Sequence, residues 1–172
     1  EYALLYNVAL KNYLEATGDV ETANDLWPVA KKQLDIIRTN VRPDGMMDFD
    51  KVNKDWWVFF DWKEDLYKEV PLQGVSIFAL KESYDPAKML GKENEVADLP
   101  ALRKKMVKSA RKNFYDRKSG LFVGTGSKQV SYASQIWMIL GGVADKAERK
   151  KALTALAAVN DACYPGTPYM YH

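Results

Sequence analysis

Three of the five tryptophans of this chain lie within residues 55–62, together with two aspartates. Asp55 and Trp57 stand near the start of this stretch, and Asp61 and Trp62 form its end. The apolar CH face of a sugar stacks on indole, while carboxylates accept hydrogen bonds from its hydroxyls. Buried carboxylates are rare without a partner, so the aspartates weaken the alternative that these rings are simply core. The stretch therefore predicts a sugar-binding surface, with core packing as the competing interpretation.

Neighbouring residues on an extended segment point to opposite sides, so we expect one of Trp56 and Trp57 to pack against the core. Asp61 and Asp65 would share one face if this segment were helical, but they would be too close and too exposed for acid and base roles. A second acidic group, around Asp44 and Gly45, lacks the twelve-residue spacing and terminal Glu of a calcium loop. We interpret it as a turn.

Composition places the chain among globular proteins of one domain. It has 172 residues, of which 47% are hydrophobic and 28% charged. A net charge of +2 gives no electrostatic argument for nucleic-acid binding, and no apolar run reaches the ~20 residues of a membrane span. The basic residues from Arg103 to Lys112 are typical of a solvated helix face. One cysteine, Cys163, excludes an intramolecular disulfide and a cysteine-based zinc site.

The elements that must position the aromatic stretch are helical. Apolar spacings of three and four predict one helix over 2–16, another starting after Asp19, and a break or kink at Pro28 that opens a further segment. The segment Leu72 to Tyr84 is apolar around most of its circumference and should be buried. The remaining helices are expected over 99–114, with a single apolar stripe, over 131–140, nearly all apolar, and over 146–159, amphipathic.

Helices of buried and one-sided character alternate along the chain. Two connections also resemble each other: 42–47 and 117–122 each have a basic residue, a turn with Gly and then two apolar residues. The sequence thus predicts an all-α fold of about three hairpins, each with an inner and then an outer helix. This is about half of an (α/α)6 toroid, with the aromatic stretch on the loop rim. Residues 1–172 would form a single segment from the centre of a larger domain, whose flanks we expect to lie outside this chain.

Four motifs in order resemble the catalytic domain of bacterial α-L-rhamnosidases, which are inverting glycoside hydrolases with a six-hairpin barrel. They are the aromatic stretch 55–62, Leu72-Gln73 opening one apolar helix, Ser131-x-x-Ser134-Gln135 opening another, and the closing run 166–172. The resemblance implies that the general acid, in an Arg-Asp-Glu type motif, precedes this chain and that the general base, in a Trp-Glu type motif, follows it. Inverting hydrolysis needs two such carboxyl groups about 6.5–9.5 Å apart.

The resemblance implies that this chain lines the sugar pocket without a catalytic residue of its own and is inactive alone. It places Asp61 and Trp62 at the pocket rim, and Tyr169, Tyr171 and His172 on a lining loop. The expected substrate-binding residues are Asp61, Trp62, Trp57, Asp55, Tyr169 and His172. Gln73 and Gln135 begin inner helices, where their amides would reach the cavity or cap the helices.

The function predicted on this basis is part of an α-L-rhamnosidase that cleaves terminal rhamnose from a glycan, without a cofactor or a metal. The expected partners are a rhamnose-containing glycan and the remainder of the same catalytic domain, with no nucleic acid and no membrane. The family resemblance favours a periplasmic or secreted location. Two alternatives stay open: another six-hairpin glycosidase, or a helical scaffold that binds glycan or protein without catalysis.

Overall fold

A computed structural model describes residues 2–168. This part of the chain is built from α-helices, one 3-10 helix and short bridged turns. The helices are α1 (Tyr2–Thr17), α2 (Val20–Gln33), α3 (Asp35–Asn40), α4 (Phe49–Asp55), α5 (Glu69–Met89), the 3-10 helix (Glu93–Val96), α6 (Leu99–Phe114), α7 (Tyr132–Leu140) and α8 (Lys146–Ala157).

The helices form three hairpins, and the first helix of each hairpin lies in a common inner row. Helix α5 is at the centre of this row and packs against α1 on one side and α7 on the other. The second helices, α2, α6 and α8, pack against α1, α5 and α7 respectively. The predicted half-toroid of inner and outer helices is confirmed. All connections from an outer helix to the next inner helix therefore lie on one rim, which carries residues 55–62.

Helix α5 is buried around its circumference, as its apolar pattern predicts, and it extends beyond the predicted segment at both ends. The contact between α5 and α7 is close because Gly74 has no side chain. A Cβ at this position would lie 2.7 Å from the carbonyl carbon of Trp137 and 2.9 Å from the amide nitrogen of Met138. Backbone atoms cannot move aside as the end of a flexible side chain can, so glycine sets the distance between these two inner helices.

Of the break or kink predicted at Pro28, the break is wrong. Helix α2 continues through Pro28 to Gln33, and the further segment begins as α3 after Leu34. A proline inside a helix removes one hydrogen bond and costs about 3 kcal/mol. Trp27 and Ala30 are both buried, and the Trp27 indole donates to the Glu95 carboxylate at 3.2 Å, so that the burial of this part of α2 offsets the cost. The predicted cap is confirmed, because the Asp19 carboxylate accepts a hydrogen bond from the Thr22 amide at 3.0 Å.

Helix α6 has the predicted single apolar stripe, in which Met106, Ala110 and Phe114 are buried. Its basic residues are not all solvated, however. Arg103 is partly buried and donates to the Gly141 carbonyl at 2.8 Å, and burial lowers the pKa of its guanidinium. Arg111 donates to the Val143 carbonyl at 2.6 Å. Two arginines of the basic run thus satisfy carbonyls in the α7–α8 turn, a long-range pairing that helix periodicity does not reveal.

Two rim turns of the same construction precede α5 and α7. In the first, Val41 pairs with Met47 and Gly45 adopts φ +88°. In the second, Tyr115 pairs with Phe122 and Gly120 adopts φ +81°. The left-handed backbone at both positions favours glycine. The turn predicted at Gly45, in place of a calcium loop, is confirmed, and so is the similarity between the two connections.

A fully buried glutamine holds each rim turn. Gln73 accepts from the Met47 amide at 2.7 Å and donates to the Gly45 carbonyl at 3.0 Å. Gln135 accepts from the Phe122 amide at 2.8 Å and donates to the Phe122 carbonyl at 2.7 Å. Of the two predicted roles, cavity lining is wrong for these side chains, because both amides face the backbone of the preceding turn. Their main partners are backbone groups of the turns, whereas a helix cap would bind the free amides at the start of its own helix.

Candidate sugar-binding rim

Three aromatic rings of residues 55–62 form one contact cluster, which we call the aromatic platform: Trp57, Phe59 and Trp62. The centroid of the Phe59 ring lies 5.0 Å from that of Trp57 and 5.0 Å from that of Trp62. The two indoles lie 5.7 Å apart and are tilted by 52°. Phe59 is 8% exposed and supports the two indoles from below. The platform thus presents two indoles at an angle to each other above a buried ring.

The indoles of the platform are open to solvent. Trp57 and Trp62 are each 71% exposed, although a buried tryptophan side chain would contribute favourably to the core. An exposed apolar cluster of this kind marks a surface that a ligand, or the remainder of a larger domain, covers. Within the described part of this chain, Trp57 and Trp62 are not packed in the core, whereas the ring of Phe60 is fully buried.

Alternation along the extended segment places two of the three rings of the platform. Helix α4 ends at Asp55, and Trp56 adopts extended backbone angles. Val58 and Phe60 then point into the core, while Lys68 donates to the Val58 carbonyl at 2.9 Å and fixes the segment to the start of α5. Trp57 and Phe59 alternate with these two residues and contact each other, as the period of two in an extended chain requires. Trp62 follows a bend in the chain and does not continue the alternation.

Trp56 and Trp57 line one hollow together, and neither is packed in the core. Trp56 is 59% exposed and lines an open groove of about 710 Å³ with Pro28, Val29 and Ile36 from α2 and α3. The expectation that one of the two is core is therefore wrong.

Asp61 is the buried acid of the rim. It is 5% exposed, and its carboxylate accepts three hydrogen bonds: from the Trp62 amide at 2.8 Å, the Gly166 amide at 2.5 Å and the Thr167 hydroxyl at 2.7 Å. Residues 56–68 are not helical, so Asp61 and Asp65 do not share a helix face. The side chain links the aromatic platform to a segment more than one hundred residues later in the chain.

Two further contacts join the loops of this rim. Gln129 accepts from the Tyr67 amide at 2.9 Å and donates to the Asp65 carbonyl at 2.8 Å. Cys163 forms a parallel bridge with Ser131 at the start of α7, and burial raises the pKa of its thiol. Three loops, around residues 57–67, 124–131 and 163–167, are thus held together by hydrogen bonds that cross between them.

The other predicted site residues are placed less closely. Asp55 is exposed at the end of α4, and Trp56 separates it in sequence from the first residue of the platform. Tyr169, Tyr171 and His172 lie outside the described residues. Within residues 2–168, no group of three histidine, cysteine, aspartate or glutamate side chains is arranged to hold a metal ion. No helix in that range combines the length and apolar character needed to cross a membrane.

Two solved structures with a similar arrangement of helices are rhamnosidases. No protein-family model and no curated protein sequence matches the chain. Among solved structures, a rhamnosidase from Klebsiella oxytoca with rhamnose bound matches with a TM-score of 0.88 and 32% sequence identity, over 99% of this chain. The chain resembles part of a rhamnosidase. It spans 33% of the length of that protein.

A second rhamnosidase has the same fold. The GH78 family rhamnosidase of Bacillus sp. GL1 matches with a TM-score of 0.80 over 98% of this chain and 18% of its own length, at 19% identity. At this identity the match supports the fold alone. The rhamnosidase resemblance predicted from four motifs is confirmed, and so is the barrel architecture.

The rhamnosidase-like rim includes residues that sequence reasoning did not single out. Phe59 forms the floor of the platform, and Thr167 and Gly166 hold the Asp61 carboxylate. Phe59 was detectable, because residues two apart on an extended segment lie on the same side, which places it with Trp57. The pairing of Asp61 with Thr167 carries no local signal, since it depends on how two distant loops meet.

Proposed function

We propose that this chain forms part of the sugar site of an enzyme that hydrolyses terminal α-L-rhamnosides with inversion. The observation that carries the proposal is the pair of exposed indoles on the rim of a chain that is 32% identical to a rhamnosidase with rhamnose bound. The proposed role of Trp57 and Trp62 is to stack on the apolar face of the deoxysugar. The methyl group of rhamnose adds apolar surface, which suits a platform of two tilted rings.

In the proposed reaction this chain holds the sugar and does not transfer the proton. Asp61 already accepts three hydrogen bonds and is buried, so it is unsuited to protonate a leaving group or activate water. An inverting enzyme needs two carboxyl groups about 6.5–9.5 Å apart with water between them. We propose that both belong to the remainder of the same catalytic domain, and that Asp55, Tyr169 and His172 complete the wall of the pocket.

The decisive experiment uses the full-length protein that contains this chain and 4-nitrophenyl α-L-rhamnoside as substrate. Hydrolysis is expected, with β-L-rhamnose as the first product in proton NMR. The matching α-glucoside is expected to react far more slowly. Rapid hydrolysis of the glucoside alone would instead favour another six-hairpin glycosidase, and rhamnose binding without hydrolysis would favour a scaffold that binds glycan.

The platform itself is tested by Trp62→Ala. Loss of one stacking ring is expected to raise the KM for the rhamnoside about tenfold, which corresponds to about 1.4 kcal/mol. Leu153→Ala is the control, because it removes an exposed apolar side chain from the outer helix α8. Equal effects of the two substitutions, or no effect of Trp62→Ala, would contradict the proposed platform.

A further inference from the structure

The Asp61 carboxylate is the meeting point of two rim segments. Its Oδ1 accepts from the Trp62 amide at 2.8 Å and from the Thr167 hydroxyl at 2.7 Å. Its Oδ2 accepts from the Gly166 amide at 2.5 Å. One side chain therefore fixes the backbone beneath an indole of the platform and the backbone of the segment 163–167.

The same contacts leave Asp61 little capacity for a ligand. An ionised carboxylate offers about four acceptor positions, and three of them are occupied by protein donors. The side chain is only 5% exposed, so that these donors also stabilise the charge that burial would otherwise make costly. A carboxylate that binds sugar hydroxyls needs unoccupied acceptor positions that face the pocket. The occupied acceptor positions of Asp61 favour a different role.

The segment 163–167 is held at both of its ends. At one end, the Cys163 amide donates to the Val130 carbonyl at 2.8 Å, and the Tyr132 amide donates to the Cys163 carbonyl at 3.1 Å. At the other end, Gly166 and Thr167 donate to Asp61. Removing the Asp61 contact would leave this segment attached through Cys163 and through the ring contact of Tyr164 with Tyr132. It would also remove the hydrogen bond that holds the Trp62 amide.

We propose that Asp61 is a positioning residue of the rhamnoside site, which sets the distance between Trp62 and the segment that ends at Thr167. This inference rests on the proposed function. It differs from a direct sugar contact in one consequence: removing the Thr167 hydroxyl, which binds the carboxylate, should also weaken binding of the rhamnoside. The pair acts as one unit, so that removing both partners costs little more than removing one.

The test is a double-mutant cycle in the full-length protein with Asp61→Asn, Thr167→Val and both together. Thr154→Val, at an exposed position of α8, is the matched control for the threonine change. We expect Asp61→Asn to raise the KM for the rhamnoside about tenfold with kcat less affected, and Thr167→Val to raise it several-fold. The double variant should resemble Asp61→Asn alone, and Thr154→Val should match the wild type.

Each other result overturns a defined statement. If Asp61→Asn raises KM while Thr167→Val does not, Asp61 contacts the sugar directly and the positioning role is wrong. If the variants lower the melting temperature with KM unchanged, the contact is purely structural and the positioning role is also wrong. A wild-type protein without activity on the rhamnoside would overturn the proposed function, an outcome that the variants cannot imitate.

Discussion

The two rim turns share one construction but lead into connections of different length. Each has a bridged turn with a left-handed glycine, and each is held by a buried glutamine of the next inner helix. After the first turn, residues 48–68 add helix α4 and the aromatic platform before α5 begins. After the second, residues 123–131 lead directly to α7. The two similar turns support the inner helices, whereas the exposed aromatic platform belongs to the longer connection alone.

Substitution of the two glutamines tests whether the two rim turns are equivalent. The largest loss of stability is expected here. Gln73→Met and Gln135→Met keep the side-chain volume but leave a buried amide and carbonyl of the turn without a partner. Each substitution is expected to lower the free energy of unfolding by about 3 kcal/mol, measured by urea denaturation. Losses that differ by more than about 2 kcal/mol would show that the two turns are not equivalent.

Substitution of Gly74 tests a position at which the two inner helices α5 and α7 differ. The residue after Gln73 is glycine, whereas the residue after Gln135 is Ile136, because the central α5 must accept α7 at close range. At an uncrowded helix position Gly→Ala stabilises by up to about 1 kcal/mol. Gly74→Ala is expected to destabilise by about 2–3 kcal/mol instead, since its Cβ meets backbone.

Gly126→Ala is the matched control for this change. Its Cβ would meet only the hydroxyl end of the Tyr67 side chain, at 3.3 Å, so its effect should stay within about 0.5 kcal/mol. A neutral or stabilising Gly74→Ala in thermal unfolding would mean that α5 and α7 separate easily, and that the close approach does not define the inner row.

The outer helix of the third hairpin, α8, is attached to α6 by an ion pair, whereas the two rim turns are held by buried glutamine side chains. The smallest loss of stability is expected for this ion pair. Glu148 pairs with Arg111 and also closes a capping box with Asp145 at the start of α8. The hydrogen bond from Arg111 lowers the pKa of Glu148 from 4.5 to about 2. Because this pair is partly exposed, Glu148→Gln is expected to cost only about 1 kcal/mol at pH 7.

The pH dependence follows from the depressed pKa. The stabilisation by the Glu148 carboxylate is fully present above pH 4.5 and is lost as the pH falls through about 2. The difference in unfolding free energy between wild type and Glu148→Gln should therefore be constant from pH 7 to 5 and shrink below. A difference that persists unchanged at pH 3 and below would exclude this ion pair as its source.

Sequence periodicity predicted the helices and their inner or outer placement because burial repeats every three to four residues. It failed at Pro28, where tertiary packing of Trp27 outweighs a local preference. It also could not decide whether Trp57 and Trp62 are core or surface, since an aromatic run looks the same in both settings. The roles of Gln73 and Asp61 depend on partners that are distant in sequence, and no local pattern contains them.

Cys163 has a practical consequence for measuring the rim in solution. It is the one cysteine of this chain, it is 7% exposed, and its raised pKa keeps the thiol protonated at neutral pH. Thiol reagents attack the thiolate, so this residue gives a low labelling background. A cysteine introduced at exposed Glu64 would take up a spin label or fluorophore selectively within the chain, and would report directly whether the platform loop shifts when a sugar is added.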